Sequence, residues 1–200
     1  MARTRHTRSS STSPPDEDDA ALTNRVGALL LEAQHSVAEA SGRAIGRGAQ
    51  APAALVALRE FLEDATVQQL SEVIGLRHST TVRLVDRLVA DGYVRRLGSG
   101  RDGRAVAIRL TRAGAAAADR VRRARRRAVE ELLTPLSDGE RRDLAAQVDK
   151  LLAAAARRRL QSRARGEPVG GWMCRLCDLE ACGRPEGRCP VAAAAAAPTS

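Results

Sequence analysis

Aromatic side chains are almost missing from this sequence: Phe61, Tyr93 and Trp172 are the whole set among 200 residues. Proteins that hold single strands stack bases on aromatic platforms, so an RRM-like or OB-like single-strand binder is excluded. Lysine is nearly missing too. Lys150 is the single one, and arginine supplies the rest of the positive side of a formal charge of +9. No apolar run approaches the roughly 18 residues of a membrane span. No apolar stretch follows the N-terminal arginines, so no secretory leader is expected, and a cytoplasmic address is the default. There, four cysteines are thiols or metal ligands before they are a disulfide framework. No Gly-rich phosphate loop follows a strand, and no Ser/His/Asp or paired-carboxylate arrangement occurs, so the chain does not read as an enzyme.

What the sequence does have is concentrated basic charge. Residues 77–112 carry nine Arg against three Asp, and residues 113–169 carry fourteen bases against eight acids. Residues 1–76 are net acidic, and residues 170–200 balance three against three. Such a focus suits a phosphate-binding surface. Apolar residues form 44% of the chain, enough for the core of one domain with extensions.

The expected elements follow from periodicity and caps. Residues 1–20, rich in Ser, Thr, Arg and Pro, read as a disordered arm. Val26, Leu29, Leu30, Ala33 and Val37 predict a first helix over 22–41, and Pro52 opens a second. Thr66-Val67-Gln68-Gln69 is a capping-box pattern that starts a short third helix, and Gly75 ends it. A fourth helix runs from about Ser79 to Ala90. Residues 93–97 and 105–110 read as the two strands of a hairpin around Gly98–Gly103. Thr111 caps a long helix to about Leu133, and Ser137-Asp138-Gly139-Glu140 opens a last one. The fold class is mainly α with a small β-hairpin wing, a winged helix-turn-helix with flanking dimerisation helices. The limits are 21–160 for that domain, 161–171 for a linker, 172–191 for a Cys-rich segment and 192–200 for a disordered Ala-rich tail.

Residues 66–90 are two helices joined by a turn of the length used by DNA-binding helix-turn-helix units. In the second, Thr81, Leu84, Val85 and Leu88 share a buried face, while Ser79, Thr80, Arg83 and Arg87 fall outside it. Arg83 can bond guanine in bidentate fashion, Ser79 and Thr80 can bond bases or phosphates, and Arg77 can reach phosphate at the helix start. Arg101 and Arg104, at the hairpin tip, suit the adjacent minor groove.

The run from Ser79 to Arg96, with Arg101-Asp102-Gly103-Arg104 and Ile108–Gly114, resembles the recognition helix and wing of MarR-type winged-helix regulators. The resemblance covers about residues 22–155. It implies a homodimer that grips a pseudo-palindromic double-stranded DNA operator and controls transcription, most often by repression released by a small ligand or by oxidation. It places Ser79, Thr80 and Arg83 in the major groove and Arg101 and Arg104 on the wing. The chain reads Thr81-Val82 where the family more often has an apolar residue then Thr, which either turns Val82 towards a thymine methyl or rotates the helix slightly.

Two regions lie beyond this pattern. Six arginines within residues 120–127 read first as a solvated helix and second as extra phosphate contacts outside the wing, and the stripe Leu132, Leu133, Leu144, Val148, Leu151 and Leu152 reads as core or dimer interface. Cys174-x2-Cys177-x4-Cys182-x6-Cys189 sits in a segment too small to bury a core. Four thiolates suit tetrahedral Zn²⁺; an iron–sulfur cluster, a redox pair at Cys174 and Cys177, and spare thiols also stand. An alternative to the DNA-binding regulator is therefore a redox or zinc sensor whose Cys174 and Cys177 thiols carry the main activity.

Overall fold

The structure is a computed structural model that describes residues 17–48, 50–98 and 107–196. Its elements are α1 (Glu17–Ile45), α2 (Gln50–Glu60), β1 (Ala65–Thr66), α3 (Val67–Ile74), α4 (His78–Ala90), β2 (Val94–Leu97), β3 (Ala107–Leu110), α5 (Arg112–Leu133), α6 (Asp138–Ala164) and α7 (Pro190–Ala196).

The caps act where the sequence puts them. Thr66 accepts from the Gln69 amide while the Gln69 side chain accepts from the Thr66 amide, and Gly75 ends α3 in the left-handed region at φ 73°. Ser137 and Glu140 make the same box at α6, and Thr111 caps α5 through the Gly114 amide.

The strands form one antiparallel sheet in the order β1-β3-β2, with Ala65 opposite Ile108 and Val94 opposite Leu110. Its inner side chains, with Leu55, Val56, Leu70, Val73, Val85, Leu88 and Val121, make a single core. The α5 helix closes that core with small residues, Gly114, Ala117 and Ala118, which allow close approach. A Cβ at Gly114 would lie 1.9 Å from the Tyr93 carbonyl oxygen, so only glycine fits where α5 meets the wing.

Four expectations change. Residues 17–20 are helical rather than part of an arm: α1 starts at Glu17, and Asp18 and Asp19 suit a helix N-terminus. The two-residue β1 was not anticipated; so short a strand has no period to read. Residues 161–164 continue α6 instead of opening a linker. Residues 192–196 belong to α7 rather than to a disordered tail: Pro190 suits a first helical turn, alanine has the highest helix propensity, and α7 packs on α6. The leucine stripe also resolves: Leu144, Val148, Leu151 and Leu152 are exposed, not core, and so are Leu22, Val26, Leu29, Leu30 and Leu31 on α1.

Candidate nucleic-acid interface

The α4 helix has two faces with different work. Thr81, Leu84, Val85 and Leu88 are buried, and Thr81 also donates through Oγ1 to the Arg77 carbonyl, which fixes the start of the helix. Ser79, Arg83 and Arg87 are exposed on the other face, with Thr80 half-buried beside them. Thr80, Arg83, Asp86 and Arg87 border one shallow cleft. Arg77 is the N-cap residue, makes no side-chain cap bond, and is exposed. Val82 is half-buried. Arg101 and Arg104 lie outside the described residues.

Three ion pairs tie α4 and the strands to their surroundings, each between residues too far apart in sequence to be paired by inspection. Arg96 of β2 donates to Asp86 of α4 at 2.6 Å. Arg47, after α1, donates through Nε to Asp91 at 2.8 Å and through its second amino group to the other carboxylate oxygen. This fork holds the Asp91 carboxyl below its usual range. Arg109 of β3 binds Asp64 beside β1 with the same fork and the same effect. Some of the basic charge in residues 77–112 is thus neutralised internally. Arg77 and Arg83 have no ion-pair partner among the described residues, so their charge remains available to an outside anion.

The MarR family model matches residues 46–105, from the end of α1 through α4 to the hairpin. This segment is similar to the MarR family and has a winged-helix fold. A MarR family protein from Bacillus stearothermophilus is similar over 70% of this chain and 96% of its own, at 27% identity and a TM-score of 0.59. The YusO protein from Bacillus subtilis covers 70% and is covered over 97%, at 21% identity and a TM-score of 0.60. A MepR mutant from S. aureus, solved bound to an oligodeoxyribonucleotide, shares the fold at 15% identity and a TM-score of 0.52, over 67% of this chain and 97% of its own. No curated protein matches the sequence. Among the described residues no helix is long and apolar enough to cross a membrane.

Against the winged-helix core lies the cysteine segment, which is docked rather than tethered. The Trp172 amide donates to the Val73 carbonyl of α3 at 2.7 Å, and its ring meets Phe61 edge-on at 5.5 Å. Gly171 presses backbone to backbone on the turn after α3: a Cβ on Gly75 would stand 2.3 Å from the Gly171 nitrogen. Arg122, from the arginine-rich stretch of α5, bridges Glu60 at 2.9 Å and Asp178 at 2.6 Å, and Glu60 also accepts from the Leu179 amide at 3.0 Å. Arg122 is therefore a structural joint, not a solvated charge. Burial raises the Asp178 carboxyl, but the Arg122 and Ala181 hydrogen bonds outweigh it and hold it low.

All four thiols are free. Cys174 and Cys177 perturb one another electrostatically, Cys189 acts on Cys182, and Cys189 also acts on Cys174. The hydrogen bond from Cys174 holds Cys177 at about 6, against the opposing effect of burial and with help from the Arg125 guanidinium. Among the described residues no three of His, Cys, Asp and Glu already stand as a metal cage.

Proposed function

We propose that this chain is a sequence-specific double-stranded DNA-binding transcriptional regulator, working as a homodimer and as a repressor rather than as an enzyme. The observation that carries the reading is the division of α4. Its buried face fastens it to the core, and its outer face offers Ser79, Arg83 and Arg87 with Arg77 at its start. A recognition helix needs that arrangement to read base edges in a major groove while phosphates are bound at its end. The likeness to the oligodeoxyribonucleotide-bound MepR mutant supports the duplex as ligand.

Dimerisation is supported by the unpartnered leucines of α1 and α6. Leu31 is 71% exposed and Leu151 67%. Apolar stripes of this kind on two long helices are what a second copy would cover. The small ligand or thiol change that releases the operator is part of the same proposal. A gel shift with the chain's own upstream DNA tests it: binding that weakens steeply with salt is expected, and its absence overturns the reading.

A further inference from the structure

The 166–189 stretch is fastened to the core at Gly171, Trp172, Asp178 and Leu179, but it has little apolar interior of its own. Trp172 and Leu176 are its only large side chains against the core. The rest is a chain of tight turns: the Cys177 amide donates to the Cys174 carbonyl at 2.7 Å, Arg184 to Leu179 at 3.1 Å and Arg188 to Gly183 at 2.9 Å. Isolated turns do not order so short a segment in water, and segments of this size use metals or disulfides. The donor set is four cysteines, two of them in C-x2-C spacing, with Cys189 buried and the other three half-buried. Arg125 and Arg184 add positive charge beside Cys177. Four thiolates around a divalent ion leave net negative charge, which such guanidiniums offset.

We propose that Cys174, Cys177, Cys182 and Cys189 form a tetrathiolate site for a soft divalent cation, zinc in the first instance, and that the segment it orders buttresses the α3–α4 turn. On binding, the thiol protons leave to solvent and the four thiolates close on one ion. The buttress is the backbone contact of Gly171 with Gly75 and the Trp172 bond to Val73, at the opposite end of the segment from Cys189. This proposal does not depend on DNA being the ligand.

The test uses the full chain purified under reductant. One Zn²⁺ per chain is expected, and Co²⁺ in its place should give the thiolate charge-transfer and tetrahedral d–d absorption of a four-sulfur site. Chelation of the wild-type chain should make the Trp172 amide exchange at least about tenfold faster and shift Trp172 emission. Cys182→Ser should lose most of the ion. Gly171→Ser should keep the ion and still loosen Trp172, which separates the buttress from the site without disturbing a thiol. Four free thiols with no bound metal, two disulfides, or an iron–sulfur chromophore would each overturn the single-cation site. Metal loss that leaves Trp172 exchange unchanged would overturn the buttress.

Discussion

Arg96 on the wing strand and Asp86 on the outer face of α4 form an ion pair at 2.6 Å, with both side chains about half exposed. The acid is an oddity on a surface proposed to meet phosphates, and the pair explains it: Asp86 orients Arg96 and ties β2 to α4. Asp86→Asn removes a repelling charge and frees Arg96. Duplex binding should then become tighter and less sequence-selective, with the log–log salt slope steeper by about 1. Stability should change by no more than about 1 kcal/mol, as for exposed pairs. Salt-titrated gel shifts on specific and random duplexes check both.

Arg83 stands on the same face without an ion-pair partner among the described residues. Arg83→Ala should cost about 1–3 kcal/mol of specific binding and relax one operator position, leaving random-sequence affinity much less affected. A binding-site selection with wild type and variant reads this directly.

Gly114→Ala sets helix propensity against space. Alanine favours a helix by about 1 kcal/mol over glycine. Here its Cβ would stand 1.9 Å from the Tyr93 carbonyl oxygen, so α5 must shift from the wing. Overpacking of this kind costs about 1–3 kcal/mol, so a net loss in denaturant midpoint is expected.

The Arg47–Asp91 fork predicts a pH dependence. The Asp91 carboxyl lies lower in the folded chain than in the unfolded one, held by Arg47. Its contribution is therefore complete above the unfolded value of about 4 and drains away as pH falls through the lower folded value. Asp91→Asn should lower Tm slightly at neutral pH, and the gap to wild type should close in acid. A Tm series against pH checks the sign.

The exposed leucines predict assembly. Leu31→Glu or Leu151→Glu should shift the chain towards monomer in analytical ultracentrifugation, and duplex binding should become hyperbolic and weaker. A wild-type chain that sediments as a monomer at micromolar concentration would refute the dimer.

Much of this was legible in the sequence, for reasons of range. Thr66 with Gln69, Ser137 with Glu140, and Gly75 act within one helical turn, so a cap can be read where it stands. The buried face of α4 is a matter of helical period. The division of the basic charge was not legible, because Arg47 finds Asp91 and Arg109 finds Asp64 across more than forty residues. Arg122 misled for the same reason: six neighbouring arginines look alike until Glu60 and Asp178 select one of them. The cysteine spacing announced chemistry, but nothing in it announced that Gly171 would rest on Gly75.

That last contact sets where the domain ends. A chain trimmed after α6 to give a minimal winged helix would keep every residue of the recognition helix and wing. It would also strip the floor from beneath the turn between α3 and α4, uncover Phe61, and leave Arg122 and Glu60 without Asp178 and the Leu179 amide. In folding terms the unit is discontinuous: Gly171 and Trp172 follow the turn they support by nearly a hundred residues, so a nascent chain gains that support only when its C-terminal segment has emerged.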